Sequence, residues 1–127
     1  MSDRGKRAED YAAAVLERAG WHIEARNFHT RYGELDLVAV KDGVLAFVEV
    51  KARSGRFLRT PCEAVTKAKR RKLIMTALFY LQEHRHEELQ PRFDVFEVVL
   101  ARDGGFEALS HDIIEGAFDL SEADWYH

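Results

Sequence analysis

The 127-residue chain has one cysteine, no excess of positive charge, no internal repeat and no low-complexity linker. A lone thiol, Cys62, rules out an internal disulfide framework. Without His or Cys neighbours at ligand spacing it reads as a buried or neutral side chain, so zinc is not expected. No run approaches the roughly 18 apolar residues of a membrane span, and Met1-Ser2-Asp3-Arg4 lacks the apolar core of a signal peptide. The expected compartment is the cytoplasm, with no membrane partner. A formal net charge of -3 argues against tight nonspecific binding to nucleic acid, but not against a local phosphate-binding surface. Lys67, Lys69, Arg70, Arg71 and Lys72 form one basic cluster and Arg53, Arg56 and Arg59 another, while acids dominate the C-terminal third. At 46% hydrophobic, the chain is long enough for one core and too short for two ordinary domains, so a single domain over residues 1–127 is expected.

What is present is concentrated in two apolar runs, Gly33 to Val40 (GELDLVAV) and Val44 to Lys51 (VLAFVEVK), joined by Lys41-Asp42-Gly43. Asp-Gly between β-rich runs is a strong hairpin signal, because both residues tolerate the positive φ of a type I′ turn. With Asp42-Gly43 as the loop, Lys41 pairs with Val44, Asp36 stands opposite Glu49 and Glu34 opposite Lys51. All four then share one face with Val38, Val40, Leu45 and Phe47. Leu35, Leu37, Ala39, Ala46, Val48 and Val50 take the other face. Facing carboxylates with Cβ atoms about 5 Å apart repel by roughly 3 kcal/mol at an effective dielectric near 20. Cross-strand packing returns only about 0.2–1 kcal/mol, so a positive partner is expected. A hard divalent cation, Mg²⁺ or Mn²⁺, suits two carboxylates, and Lys51 is placed to stabilise an anionic transition state or orient a water. The bland alternative is that Lys51 neutralises two acids on a wet sheet face. The strands are too apolar on both sides to favour it.

Around the hairpin, Ala8, Tyr11, Ala12, Val15, Leu16 and Ala19 form one face of a helix over Lys6 to Ala19, ended by Gly20. Glu9 lies at the edge of that stripe. Trp21, Ile23 and Ala25 alternate with His22, Glu24 and Arg26 in a half-buried strand. Ala52 to Arg59 reads as a mobile loop beside the site. A second helix is capped by Thr60, with Pro61 at its first position, or starts later at Thr66; Leu73, Ile74, Ala77, Leu78, Tyr80 and Leu81 give it a core face. Lys69 lies on the side that points towards the sheet, within reach of a bound phosphate. Arg92 to Leu100 is a further strand, Asp103-Gly104-Gly105 its turn, and Phe106 to Ser110 a short returning strand before a short tail.

Gly33-Glu34-Leu35-Asp36-Leu37 followed by Phe47-Val48-Glu49-Val50-Lys51 resembles the D…ExK signature of the PD-(D/E)xK, or restriction-endonuclease-like, superfamily. It is closest in form to the small bacterial YraN-like family. Gly5-x-x-x-Glu9, Arg26-Asn27, Lys51-x-Arg53, Lys69 and Arg92-Phe93-Asp94-Val95 extend the resemblance along nearly the whole chain. It implies an α/β fold with a restriction-endonuclease-like αβββαβ core, a central mixed sheet flanked by helices, in agreement with the order read from periodicity. It further implies a metal-dependent nuclease acting on DNA. Asp36 and Glu49 would hold Mg²⁺ or Mn²⁺ with the Val50 carbonyl as third ligand, Lys51 would act in catalysis, and Glu34 and Glu9 would be accessory acids. From the residues alone, Glu9 is equally a solvated flank residue. Arg53, Lys69 and Arg70 are the candidate nucleic-acid contacts. Analogy with junction resolvases, which share the small fold and work as dimers, points to branched or single-stranded DNA and to a homodimer or protein partner. The rival reading is a nucleic-acid-binding or accessory subunit of a DNA-processing complex, without stand-alone catalysis.

Overall fold

The computed structural model describes residues 3–54, 66–101 and 107–118. Helix α1 (Asp3–Arg18) is followed by strands β1 (His22–Thr30), β2 (Gly33–Lys41) and β3 (Val44–Ser54), helix α2 (Lys67–Glu83), and strands β4 (Gln90–Leu100) and β5 (Ala108–Phe118). The strands form one sheet in the order β1-β2-β3-β4-β5. Only β3 and β4, which α2 connects, run parallel; the other neighbours are antiparallel. This is the mixed-sheet α/β architecture of a restriction-endonuclease-like core.

The hairpin forms as its turn residues dictate. Asp42 and Gly43 have φ of 48° and 79°, and Lys41 pairs with Val44. Among the described residues each sheet face is packed by one helix. On the α1 side Ala8, Ala12, Ala13 and Leu16 pack on Leu37, Ala46, Val48, Phe96 and Val98. Alanines at the contact bring α1 close to the sheet, which matters for the one acid in that stripe. On the α2 side Leu73, Ile74, Ala77 and Tyr80 pack on Leu35, Val38, Phe47, Phe93 and Val95. Thr66 is the N-cap of α2, its hydroxyl accepting from the Lys69 N–H at 3.2 Å. The alternative start at Thr60 lies outside the described residues, as do Cys62 and the Asp103-Gly104-Gly105 turn.

Three expectations are corrected. The alternation of β1 does not hold, because the register shifts between Ile23 and Ala25: Ile23 faces α1 while Ala25 joins the α2 side. The expected loop after Lys51 begins later, since β3 continues through Ser54 alongside Leu100 of β4. The last strand is an 11-residue edge strand running to Phe118, longer than the five residues read from sequence. Its mixed polarity and a positive-φ glycine, Gly116 (62°), hide it from a test for alternation.

Candidate metal centre

The β2–β3 ladder runs from Lys41–Val44 to Leu37–Val48. One step further, where Asp36 and Glu49 would pair, the Asp36 side chain takes the place of a ladder bond: the Val50 N–H donates to Asp36 Oδ2 at 2.8 Å. Across β1, the residue at the Asp36 level is Asn27, whose φ of 54° is a left-handed conformation that Asn tolerates better than most side chains. The inversion swaps the faces of the residues beyond it. Phe28 and its partner Leu35 turn to the α2 side, while Arg26 turns towards α1. The four polar residues of the hairpin therefore do not share one face. Leu35 leaves the α1 side, and by alternation Glu34 is carried over to it. There Glu34 meets Glu9, which heads the buried i, i+3, i+4, i+7 stripe Glu9, Ala12, Ala13, Leu16. Ligand oxygens of Glu9, Glu34 and Asp36 lie within 4.8 Å of one another. Glu49 stays on the α2 side, its Oε1 3.0 Å from Lys69 Nζ and 3.7 Å from Lys51 Nζ. Asp36 stands between the two groups.

Burial, then the Glu49 charge, then Glu9 and Glu34 push the Asp36 carboxyl up to about 7, against the pull of the Val50 N–H. Burial raises Glu9 as well; the Asn27 amide opposes this and the Glu34 charge adds to it. On the other side burial and the hydrogen bond to Lys69 lower Lys51 despite the Glu49 carboxylate. Burial also pulls on Lys69, but its hydrogen bonds to Lys51 and Glu49 and the charges of Glu49 and Asp36 outweigh that and raise it. The geometry agrees, because the shorter contact to Glu49 belongs to Lys69. Among the described residues, Glu9 Oε1 and Glu34 Oε1 are buried without a hydrogen-bond partner. Buried carboxylate oxygens left unpaired are costly. Oxygens within 4.8 Å span about the distance that two ligands place across a small hard cation. The donor set thus fits a divalent cation of the Mg²⁺ or Mn²⁺ kind.

Residues 8–98, which include every one of these side chains, match the family described as Uncharacterised protein family UPF0102. The chain belongs to this family. It is 45% identical over 116 residues to a UPF0102 protein of Syntrophotalea carbinolica, covering 91% of each chain. It is 47% identical over 119 residues to one of Symbiobacterium thermophilum, covering 93% of this chain and 98% of that one. A third relative, from Myxococcus xanthus, is 41% identical over 115 residues, covering 91% and 88%. UPF0102 is the YraN-like group that the hairpin motif resembles.

The remaining candidates sit at different depths in this UPF0102 fold. Val50 is half-buried between Glu49 and Lys51, its N–H committed to Asp36. Arg53 is held by the buried Glu97, with Nε 2.6 Å from Oε1. The Arg70 guanidinium lies 5.4 Å from the Phe118 ring centroid, over the edge of the core. Two residues escaped the sequence reading of roles. Asn27 re-aims β1 and β2, and Arg26 stands 3.8 Å from Glu9 and 2.6 Å from Asp10. Asn inside an apolar alternation was the signal for the first.

Proposed function

We propose that this site hydrolyses phosphodiester bonds of DNA, with Mg²⁺ or Mn²⁺ bound by Asp36 and Glu49, the Val50 carbonyl adding a ligand. The observation that carries the reading is a fork at Asp36: oxygens of Glu9, Glu34 and Asp36 lie within 4.8 Å of one another on one side, and Glu49 with Lys51 and Lys69 stands on the other. When bound, the cation supplies Lewis acidity towards the phosphate and lowers the pKa of water. The protein supplies the rest. Asp36, partly protonated near neutrality without metal, is held in place by the Val50 N–H. Glu9 and Glu34 each present on the α1 side a buried oxygen that accepts no hydrogen bond. Lys51 and Lys69 neutralise Glu49, and once that carboxylate is engaged they are free to hold anionic phosphate oxygens and the charge that develops on them.

Calorimetry with Mn²⁺ and cleavage assays on single-stranded, duplex and four-way-junction DNA test this directly. Asp36→Ala and Glu49→Ala should lose both metal binding and cleavage. Lys51→Ala should lose cleavage while metal affinity stays level or rises, because a neighbouring cation disfavours the metal. Metal binding indifferent to Asp36 defeats the metal assignment. A wild type that cuts none of the three DNA forms leaves the reading of a nucleic-acid-binding subunit, for which the charged pairs around Glu49 would serve phosphate binding alone.

A further inference from the structure

Beside the fork, the two-residue turn between β1 and β2 carries an aromatic and a cation that the site chemistry does not use. The Tyr32 and Phe79 rings lie 5.5 Å apart at 33°, and the Arg31 guanidinium carbon stands 5.0 Å from the Tyr32 centroid, with Nη2 donating to Tyr32 Oη at 2.9 Å. Arg31 is exposed and both rings are only half-buried. The turn is locked in place: Thr30 Oγ1 accepts from the Tyr32 N–H at 3.1 Å and lies 3.4 Å from Thr76 Oγ1 on α2. Lys72 is exposed and its Cβ packs close to Gly33, 3.8 Å from where a Cβ on that glycine would stand. Among the described residues neither Arg31 nor Lys72 has a carboxylate partner, although the chain carries net charge -3. Lys69, Lys72, Thr76 and Phe79 follow one another at i, i+3, i+7 and i+10 down one side of α2. This stripe leads from Glu49 to the aromatic pair over about 15 Å, a few nucleotides of strand.

A rigid aromatic pair flanked by unpaired cations is what a single strand of nucleic acid needs, since an unpaired base offers a π-face and its phosphates need positive charge. In a continuous duplex those faces are covered by neighbouring base pairs. We infer that Arg31, Tyr32 and Phe79, with Lys72, form a stacking platform for an unpaired DNA base next to the cleavage site. The substrate class is then DNA with a single-stranded segment at the site, such as a flap, a frayed junction arm or a free strand. The inference rests on the nuclease reading for its purpose but not for its measurement.

Fluorescence anisotropy in EDTA, where no turnover occurs, compares one sequence as single-stranded DNA, as duplex and as RNA. The wild type should prefer single-stranded DNA. Tyr32→Leu should weaken that binding about 5- to 150-fold, the worth of stacking one base, and leave duplex binding within about twofold. Tyr32→Phe should behave as wild type, which a merely structural role for the hydroxyl would not allow. A 2-aminopurine base in the strand should be quenched by the wild type and less so by Tyr32→Leu. Should Tyr32→Leu fail to fold by circular dichroism, the exposed Arg31→Gln takes its place, with a smaller loss confined to the single strand. Equal losses on both DNA forms, no loss on the single strand, a preference for RNA, or no binding by the wild type would each overturn the platform. Tyr32-dependent single-strand binding without cleavage under Mn²⁺ keeps the platform and removes the nuclease reading. Cleavage of single-stranded DNA under Mn²⁺ untouched by Tyr32→Leu does the reverse.

Discussion

Asp36 has two jobs that pull on its charge in opposite directions. It caps the Val50 N–H at 2.8 Å, which any good acceptor can do, and it brings negative charge beside Glu49, Glu9 and Glu34. Asn keeps the first and removes the second. Asp36→Asn is therefore expected to be neutral or stabilising without metal, whereas Asp36→Ala orphans a partly buried N–H and should cost about 1–3 kcal/mol. Urea denaturation in EDTA separates them, and equal losses in both variants would mean that the carboxylate itself is structural. The same residue sets a pH dependence. Its folded pKa is raised from 3.8 to about 7, so the native state binds more protons than the unfolded chain between those values. Metal-free stability from this group is greatest below the lower value and declines as pH rises towards 7. Glu9, also raised, acts in the same direction. Denaturation midpoints in EDTA should fall between pH 5 and pH 8 and fall less in Asp36→Asn. Saturating Mn²⁺ should reverse the trend, because it binds the ionised form.

Among elements, β1 depends on one backbone inversion. Asn27, at φ 54°, turns Arg26 to the Glu9 side and Phe28 to the Tyr80 side, and the partner strand switches faces with it, putting Leu35 in the core and Glu34 beside Glu9. A β-branched residue there would force either a left-handed strain of about 1–2 kcal/mol or a reversion of the strand to regular pleating. Asn27→Val is expected to destabilise by at least that amount and to weaken Mn²⁺ binding. Asn27→Gly, which accepts the φ, should keep stability within about 1 kcal/mol and retain the metal site. Thermal melts and calorimetry on the two variants check this, and comparable metal affinity in both would show that the inversion does not position the acids. Helix α1 was legible as an apolar stripe because alanines and leucine recur at helical spacing. That Glu9 leads the stripe was not, since its angular position suits a flank residue as well as a buried one until a sheet is laid against it.

For the molecule as a whole, the charge is divided between a net acidic surface and a lysine- and arginine-rich α2. DNA binding through that helix should be weak and salt-sensitive. Replacing Lys69 and Arg70 together with alanine should weaken binding alike across sequences. It should also reduce the slope of log K against log salt by up to about 2, roughly 0.7–0.9 for each phosphate no longer neutralised. An unchanged slope in anisotropy titrations would place the nucleic-acid surface elsewhere. Because Lys69 also touches Glu49, the double variant should alter Mn²⁺ affinity, which a purely peripheral contact would not do.

Element order, the Lys41–Val44 register and the D…ExK residues were readable from the chain because they rest on local rules: turn residues that accept positive φ, and apolar periods of 2 and 3.6. Those rules operate over a few residues, and they put Asp36 and Glu49 side by side without reference to the rest of the protein. Which acids join them is a different kind of fact. Glu9 arrives because α1 packs through alanines on β2 and β3, Glu34 because Asn27 inverts a neighbouring strand, and Lys69 because α2 crosses the opposite face to reach Glu49. Glu9 and Lys69 depend on surfaces far apart in sequence meeting at close range, and Glu34 on a backbone inversion in the strand beside it, so the burial that raises Asp36 to about 7 is a property of the assembled sheet and the helices packed on it.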